Sequence, residues 1–178
     1  MRQLLLLRHA KSSWDDAAMP DRDRPLNARG RRSVAAMRQA MRNLGLSPDV
    51  VLVSTARRTM ETLEALEPWD DTLLIDPIDS LYLANVMQLT AALHGVAETV
   101  RSVLLIGHNP GLHDLALSLA GDRAMRVGGE NERALANGFP TGALAEFVVP
   151  GSWWDLREGG GRLVRFLTPR MLEGAGLS

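Results

Sequence analysis

Two kinds of pattern share this chain: short unbroken apolar runs, and longer stretches in which apolar residues recur at helical spacing. Residues 4–7 are four leucines, residues 50–53 read Val-Val-Leu-Val, and residues 103–106 read Val-Leu-Leu-Ile. Apolar runs of that length, each bounded by polar sequence, predict strands buried on both faces. Val34, Met37, Met41 and Leu44 fall at i, i+3, i+7 and i+10, one stripe of a helix. Asn27 is placed to cap that helix, which runs to about Asn43, and Gly45 to end it. A second helix is expected over 56–67, stopped before Pro68, and a weaker third strand over 72–75. Val86, Leu89, Leu93 and Val96 mark a further helix. Leu112, Leu115, Ala116 and Leu119 share the face of another, whose first turn suits Pro110.

Strands alternating with helices imply right-handed crossovers and a mainly parallel sheet covered by helices. Residues 121–142 carry mixed charges and several glycines, and are expected to form a long surface excursion with a short helix over 131–136. Two strand-like segments, 143–149 and 162–168, flank a glycine-rich turn at 159–161 and are expected to pair antiparallel at a sheet edge. The expected fold is therefore α/β: a three-layer sandwich with a mainly parallel central sheet, helices on both faces and an antiparallel edge hairpin near the C-terminus. One domain is assigned to residues 1–168, and residues 169–178 to a flexible C-terminal tail.

Length and composition narrow the field. The chain has 178 residues, 46% apolar and 23% charged, enough for one domain with a full core. A formal net charge of −1 argues against a dominant nucleic-acid or anionic-membrane surface. Five arginines of the first helix (Arg29, Arg31, Arg32, Arg38 and Arg42) mostly avoid its apolar stripe and read as a solvated basic face. With no cysteine, disulfides, thiolate catalysis and cysteine-ligated zinc are excluded. The N-terminal apolar run is too short for a signal-peptide core, and no stretch approaches the ~20 apolar residues needed to span a bilayer. A cytoplasmic protein is the expectation.

The chemistry gathers where the apolar runs end. Arg8-His9 follows the first, Ser54-Thr55-Ala56-Arg57-Arg58 the second, and Gly107-His108-Asn109-Pro110 the last. In an open parallel sheet the carboxyl ends of the strands share one edge, where ligands bind. Two histidines and two arginines would then meet in one crevice. Guanidinium forks match the oxygens of a phosphoryl group, and a neutral imidazole is a competent nucleophile because its ordinary pKa is ~6.5. His9 is the better nucleophile, since the backbone at a strand end can hold one ring nitrogen while the other faces the ligand. His108 and His113 are five residues apart, which is wrong for a metal pair on one helix face. Asp15, Asp16, Asp21 and Asp23 read as a solvated acidic loop, and Trp153-Trp154 as packing at the edge hairpin. No glycine-rich dinucleotide or Walker motif occurs.

The segments LLLLRHAKSSW, RPLNARG, VLVSTARRTMET and VLLIGHNPG, taken in order, resemble the histidine phosphatase superfamily. The RHA form, the short length and the RPL and GHNPG segments are most similar to its small bacterial phosphohistidine-phosphatase-like subgroup. The likeness runs from residue 3 to about residue 121 and continues more loosely through FPTGALAEF. It implies that His9 carries the phosphoryl group, while Arg8, Arg58 and His108 contact its oxygens. The pattern Ser-x-x-x-Arg-x-x-x-Thr, met by Ser54, Arg58 and Thr62, selects Arg58 over Arg57. Arg24 and Ser12 are further candidates for substrate or phosphate contact. Many family members carry an acidic residue after the third strand that protonates the leaving oxygen. Here that region reads Ile78-Asp79-Ser80-Leu81-Tyr82, without glutamate, leaving Asp79 as a stand-in or an ordinary loop residue.

An alkoxide leaves poorly unless protonated, whereas the imidazole of phosphohistidine leaves more readily. The expected activity is therefore hydrolysis of protein phosphohistidine through a covalent intermediate on His9, requiring neither metal nor organic cofactor. The alternatives are a small-molecule phosphomonoesterase and a catalytically weak phosphate-binding module. The expected partner is a phosphorylated protein or small phosphorylated molecule, not nucleic acid or membrane. The oligomeric state, and whether residues 121–142 close over the site, stay open.

Overall fold

The computed structural model describes residues 1–175. One six-stranded sheet runs through the molecule: β1 (Arg2–Arg8), β2 (Val50–Ser54), β3 (Leu74–Ile78), β4 (Ser102–Gly107), β5 (Leu144–Val149) and β6 (Arg162–Leu167). Their spatial order is β3-β2-β4-β1-β5-β6. The first four are mutually parallel, and β5 and β6 close one edge antiparallel, as expected.

The apolar runs become strands because each can bury both faces. Leu4 and Leu6 of β1 face one side with Leu52, Val103 and Leu105, while Leu5 and Leu7 face the other with Val51, Val53, Leu104 and Ile106. On the second side pack α1 (Ala28–Asn43) and α2 (Arg57–Ala65), through Val34, Met37, Met41 and Leu63. On the first side pack α3 (Val86–His94) and α4 (Gly111–Ala120), through Leu89, Leu93, Leu112, Leu115 and Leu119.

The ends of α1 follow the sequence. Asn27 Oδ1 accepts from Gly30 N at 2.8 Å. At the other end Gly45 takes φ 66°, Gly45 N donates to Arg42 O, and Leu46 N to Met41 O. This is a Schellman stop, with the buried Leu46 folded back beside Met41. Leu44, expected on the apolar stripe, is exposed, and Leu46 takes its place in the core.

Three expectations are corrected. The third strand is Leu74–Ile78, beginning two residues and ending three residues further along than the weak apolar signal suggested, because it lies at the sheet edge with mostly exposed side chains. Residues 121–142 are not a bare excursion. An unexpected α5 (Asp122–Val127) comes first, the short helix expected over 131–136 is α6 (Glu130–Asn137), and Leu135 and Phe139 are buried in the core. Of the tail assigned to 169–178, the described part is a helix, α7 (Pro169–Ala175), which packs against α1. Its remaining residues, 176–178, lie outside the described residues. Trp153 is fully buried, with Nε1 donating to Val100 O, while Trp154 is exposed.

The topology decides where a ligand can sit. From β1 the chain crosses over the future position of β4 to reach β2. The helix after β1 and the helix after β4 therefore lie on opposite faces. Their strands are neighbours, so the crevice beyond the carboxyl ends of β1 and β4 is a topological switch point.

Candidate active site

At that crevice the ends of β1, β2 and β4 deliver His9, Arg58 and His108 to one cleft of about 270 Å³. Arg8, Lys11, Ser12, Trp14, Asp21 and Leu83 also line it, with Asn109 and Thr141. The two imidazoles are buried, with ring centroids 5.3 Å apart. The buried Arg58 guanidinium bridges them: Nε lies 3.4 Å from His9 Nε2, and Nη2 lies 3.4 Å from His108 Nδ1.

Backbone and hydroxyl groups orient each ring. His9 Nδ1 lies 2.7 Å from the Ala10 carbonyl, which can only accept, so Nδ1 carries the proton and Nε2 keeps a lone pair facing the cleft. Ala10 N in turn donates to Thr62 Oγ1, and that hydroxyl donates to Arg58 O. Ser54 Oγ lies 2.7 Å from His108 Nε2 and accepts from Ala56 N. Ser54 and Thr62, four residues either side of Arg58, thus fix the second histidine and the backbone beside the first. That is the physical content of the Ser-x-x-x-Arg-x-x-x-Thr spacing.

Burial dominates the electrostatics of the two rings. Desolvation lowers His9 to about 4, aided by Arg58 and Arg8 and opposed by the Ala10 carbonyl. His108 is lowered to about 3, again chiefly by burial, then by His9 and Arg58. Both are neutral at pH 7. Arg8 donates from Nη1 to Phe139 O at 3.0 Å, and its buried Nε has no protein acceptor among the described residues.

Other candidates fall in different places. Arg24 is buried, but its guanidinium donates to the carbonyls of Ser13, Asp16 and Met19 and lies over the Trp14 ring at 3.9 Å. It folds the loop after β1 rather than facing the cleft. Ser12 lines the cleft, and its backbone bridges to Leu26. Asp79 accepts from Arg22 and Thr55 and is not on the cleft wall. Arg57 pairs with Glu61 on the surface and is not on the cleft wall.

Asp21 is the residue the sequence concealed. Its backbone carbonyl accepts from Arg58 Nη1 at 2.7 Å and its Oδ2 from Nη2 at 3.0 Å. Tyr82 donates its hydroxyl to the same oxygen, and its ring meets His108 edge-on at 5.4 Å between centroids. The Tyr82 hydrogen bond, and then Arg58, hold the Asp21 carboxyl below its ordinary value. One aspartate among four in a polar loop has no distinguishing period or spacing. Tyr82, the only tyrosine, lies in the segment after β3, where a phenol gives no sign of a carboxylate partner far away in sequence.

Among the described residues no group of three or more histidines and carboxylates is disposed to hold a metal ion, and no helix is long and apolar enough to cross a membrane.

The chain as a whole is similar to known proteins. Residues 4–77 match the family model described as histidine phosphatase superfamily (branch 1). An uncharacterized chloroplastic protein of Arabidopsis thaliana is 35% identical over 130 residues, which cover 67% of this chain and 60% of that protein's length. The structure of SixA from Nakamurella multipartitia, described as a candidate phosphohistidine phosphatase, superposes with a TM-score of 0.81 at 30% identity, covering 94% of this chain and 96% of that one. The protein histidine phosphatase SixA in complex with tungstate gives 0.71 at 25% identity, covering 96% and 99%.

Proposed function

Since this chain belongs to the histidine phosphatase superfamily, in its SixA-like subgroup, we propose that it hydrolyses protein phosphohistidine through a covalent intermediate on His9. The observation that carries the reading is the Arg58 guanidinium set between the two buried imidazoles, 3.4 Å from each. A tetrahedral phosphoryl group bound there would meet Arg8, Arg58 and His108 through its non-bridging oxygens, with His9 Nε2 on its phosphorus. The buried Arg8 Nε, which lacks a protein acceptor among the described residues, suits the same oxyanion.

The reaction divides into two transfers. Neutral His9 attacks phosphorus, the bond to the departing imidazole breaks, and the cations hold the charge of a loose, in-line transition state. The Ala10 carbonyl holds the proton on Nδ1 and stabilises the cation that forms on the ring. Water then attacks phosphorus, His9 recovers its electron pair, and phosphate leaves.

The choice of phosphohistidine over an ester rests on the lack, among the described residues, of a protonated carboxyl on the cleft wall. Asp21 is the carboxyl group on the cleft wall, and Tyr82 and Arg58 keep it ionised. Among the described residues an alkoxide leaving group would find no protonated carboxyl there, whereas an imidazole with its own ring proton needs none.

The test is phosphate release from a phosphohistidine-bearing protein, run beside aryl and sugar phosphates. We expect faster turnover of the phosphohistidine substrate and acid-labile phosphate trapped on His9. His9→Ala should be inactive. Turnover by that variant, or label on another residue, would refute the nucleophile. Preference for a sugar phosphate would refute the substrate.

A further inference from the structure

Beside the catalytic cleft, sharing Lys11 and Thr141 with its wall, lies a second hollow of about 550 Å³. Its charged lining is Lys11, Arg29 and Arg170 against one carboxylate, Glu173. Among the described residues none of these three cations joins an ion pair, whereas Arg31 and Arg57 both reach Glu61. Arg29 also stands in the first turn of α1, where the helix dipole favours anions, and that turn holds no acidic residue to offset it. A local preference broken without compensation inside the fold points to function rather than stability.

We infer that this hollow is a docking shelf for acidic side chains that flank the phosphorylated histidine of a protein substrate. The inference rests on the phosphohistidine reading above. A phosphoryl group confined to the 270 Å³ cleft does not extend over the neighbouring hollow, but the polypeptide carrying it does. Lys11 belongs to both walls and makes the positive field continuous from one to the other. Trp14 and Leu83, large and exposed on the cleft wall, suit the apolar surface of a polypeptide better than a hydrated sugar. Leu83 holds φ 48°, rare for a residue other than glycine, which marks the lip of the cleft as backbone set for contact rather than economy.

The experiment uses the full chain and two synthetic phosphohistidine peptides, one flanked by Asp and Glu and one by Ala, with phosphoramidate as the small probe. We expect KM for the acidic peptide to lie about five- to tenfold below that of the neutral one. The difference should vanish in the Arg29→Ala, Arg170→Ala double variant and shrink at about 0.5 M salt. Phosphoramidate turnover should not change in that variant. Equal KM values for the two peptides overturn the shelf alone, as does a variant that slows phosphoramidate as much as the acidic peptide. Hydrolysis of phosphoramidate but of neither peptide overturns the phosphohistidine reading, and the shelf with it.

Discussion

His108 can offer Nδ1 to the cleft only while its other nitrogen is held, and Ser54 does the holding. The hydroxyl is fully buried, tied to Ala56 N and 2.7 Å from His108 Nε2. Removing it leaves a buried ring nitrogen without a partner, at a cost of ~1–3 kcal/mol, and frees the ring to turn. In Ser54→Ala we expect kcat on phosphoramidate to fall by about ten- to a hundredfold, since each ~1.4 kcal/mol of lost transition-state stabilisation is tenfold in rate. Circular dichroism should show the fold retained. An unchanged kcat would remove Ser54 from the site. Arg24 shows the opposite arrangement: an arginine beside the cleft whose two Nη groups donate to three backbone carbonyls, so that its charge serves the loop and not the ligand.

At the scale of elements, two glycines set how closely the helices approach the site. A Cβ on Gly30 would stand 2.2 Å from Lys11 O, and one on Gly111 would stand 1.8 Å from Ala84 O. Both obstacles are backbone, so neither can swing aside. Gly111 opens α4 three residues after His108, so pushing α4 away from the turn before α3 also moves the histidine. Gly111→Ala should cost ~1–3 kcal/mol by overpacking and lower activity by more than the lost stability explains. Thermal melting and phosphate release on one sample check it, and a variant with wild-type Tm and rate would contradict the close approach. The same elements show what a linear sequence can carry. The unbroken runs at β1, β2 and β4 and the stripe of α1 were legible because burial on two faces, or on one stripe, leaves a period. Their exits, with His9, Arg58 and His108, were legible because strand ends share an edge. β3 was misplaced because an edge strand with exposed side chains has little apolar signal. Helix α5 was hidden by the glycines at both its ends, whereas α6 was anticipated over 131–136 and its place in the core, which rests on few residues, Leu135 foremost, was not. Asp21 escaped because its role comes from Arg58 reaching it across 37 positions of chain.

For the molecule as a whole, two neutral imidazoles enclosed at a positive site couple activity to stability through pH. In the unfolded chain each histidine titrates near its ordinary ~6.5. In the native protein His9 titrates at about 4 and His108 at about 3. Both folded values are depressed, so between these limits the unfolded state binds protons that the native state refuses. Stability then rises with pH across that window. It is fully present above about pH 6.5 and is lost progressively as the pH falls to and through the folded values. Carboxylates such as Asp21, whose folded value is also lowered, weaken the protein in acid as well, so wild type alone does not isolate the rings. Urea denaturation of wild type and of a His9→Asn, His108→Asn variant between pH 8.5 and pH 4 does. We expect the wild-type curve to fall more steeply with acid and the two curves to run parallel above pH 7. Parallel curves throughout would mean that the native rings accept protons as freely as the unfolded chain does. His9 would then not be held neutral by burial, and its readiness to attack phosphorus at acid pH would need another source.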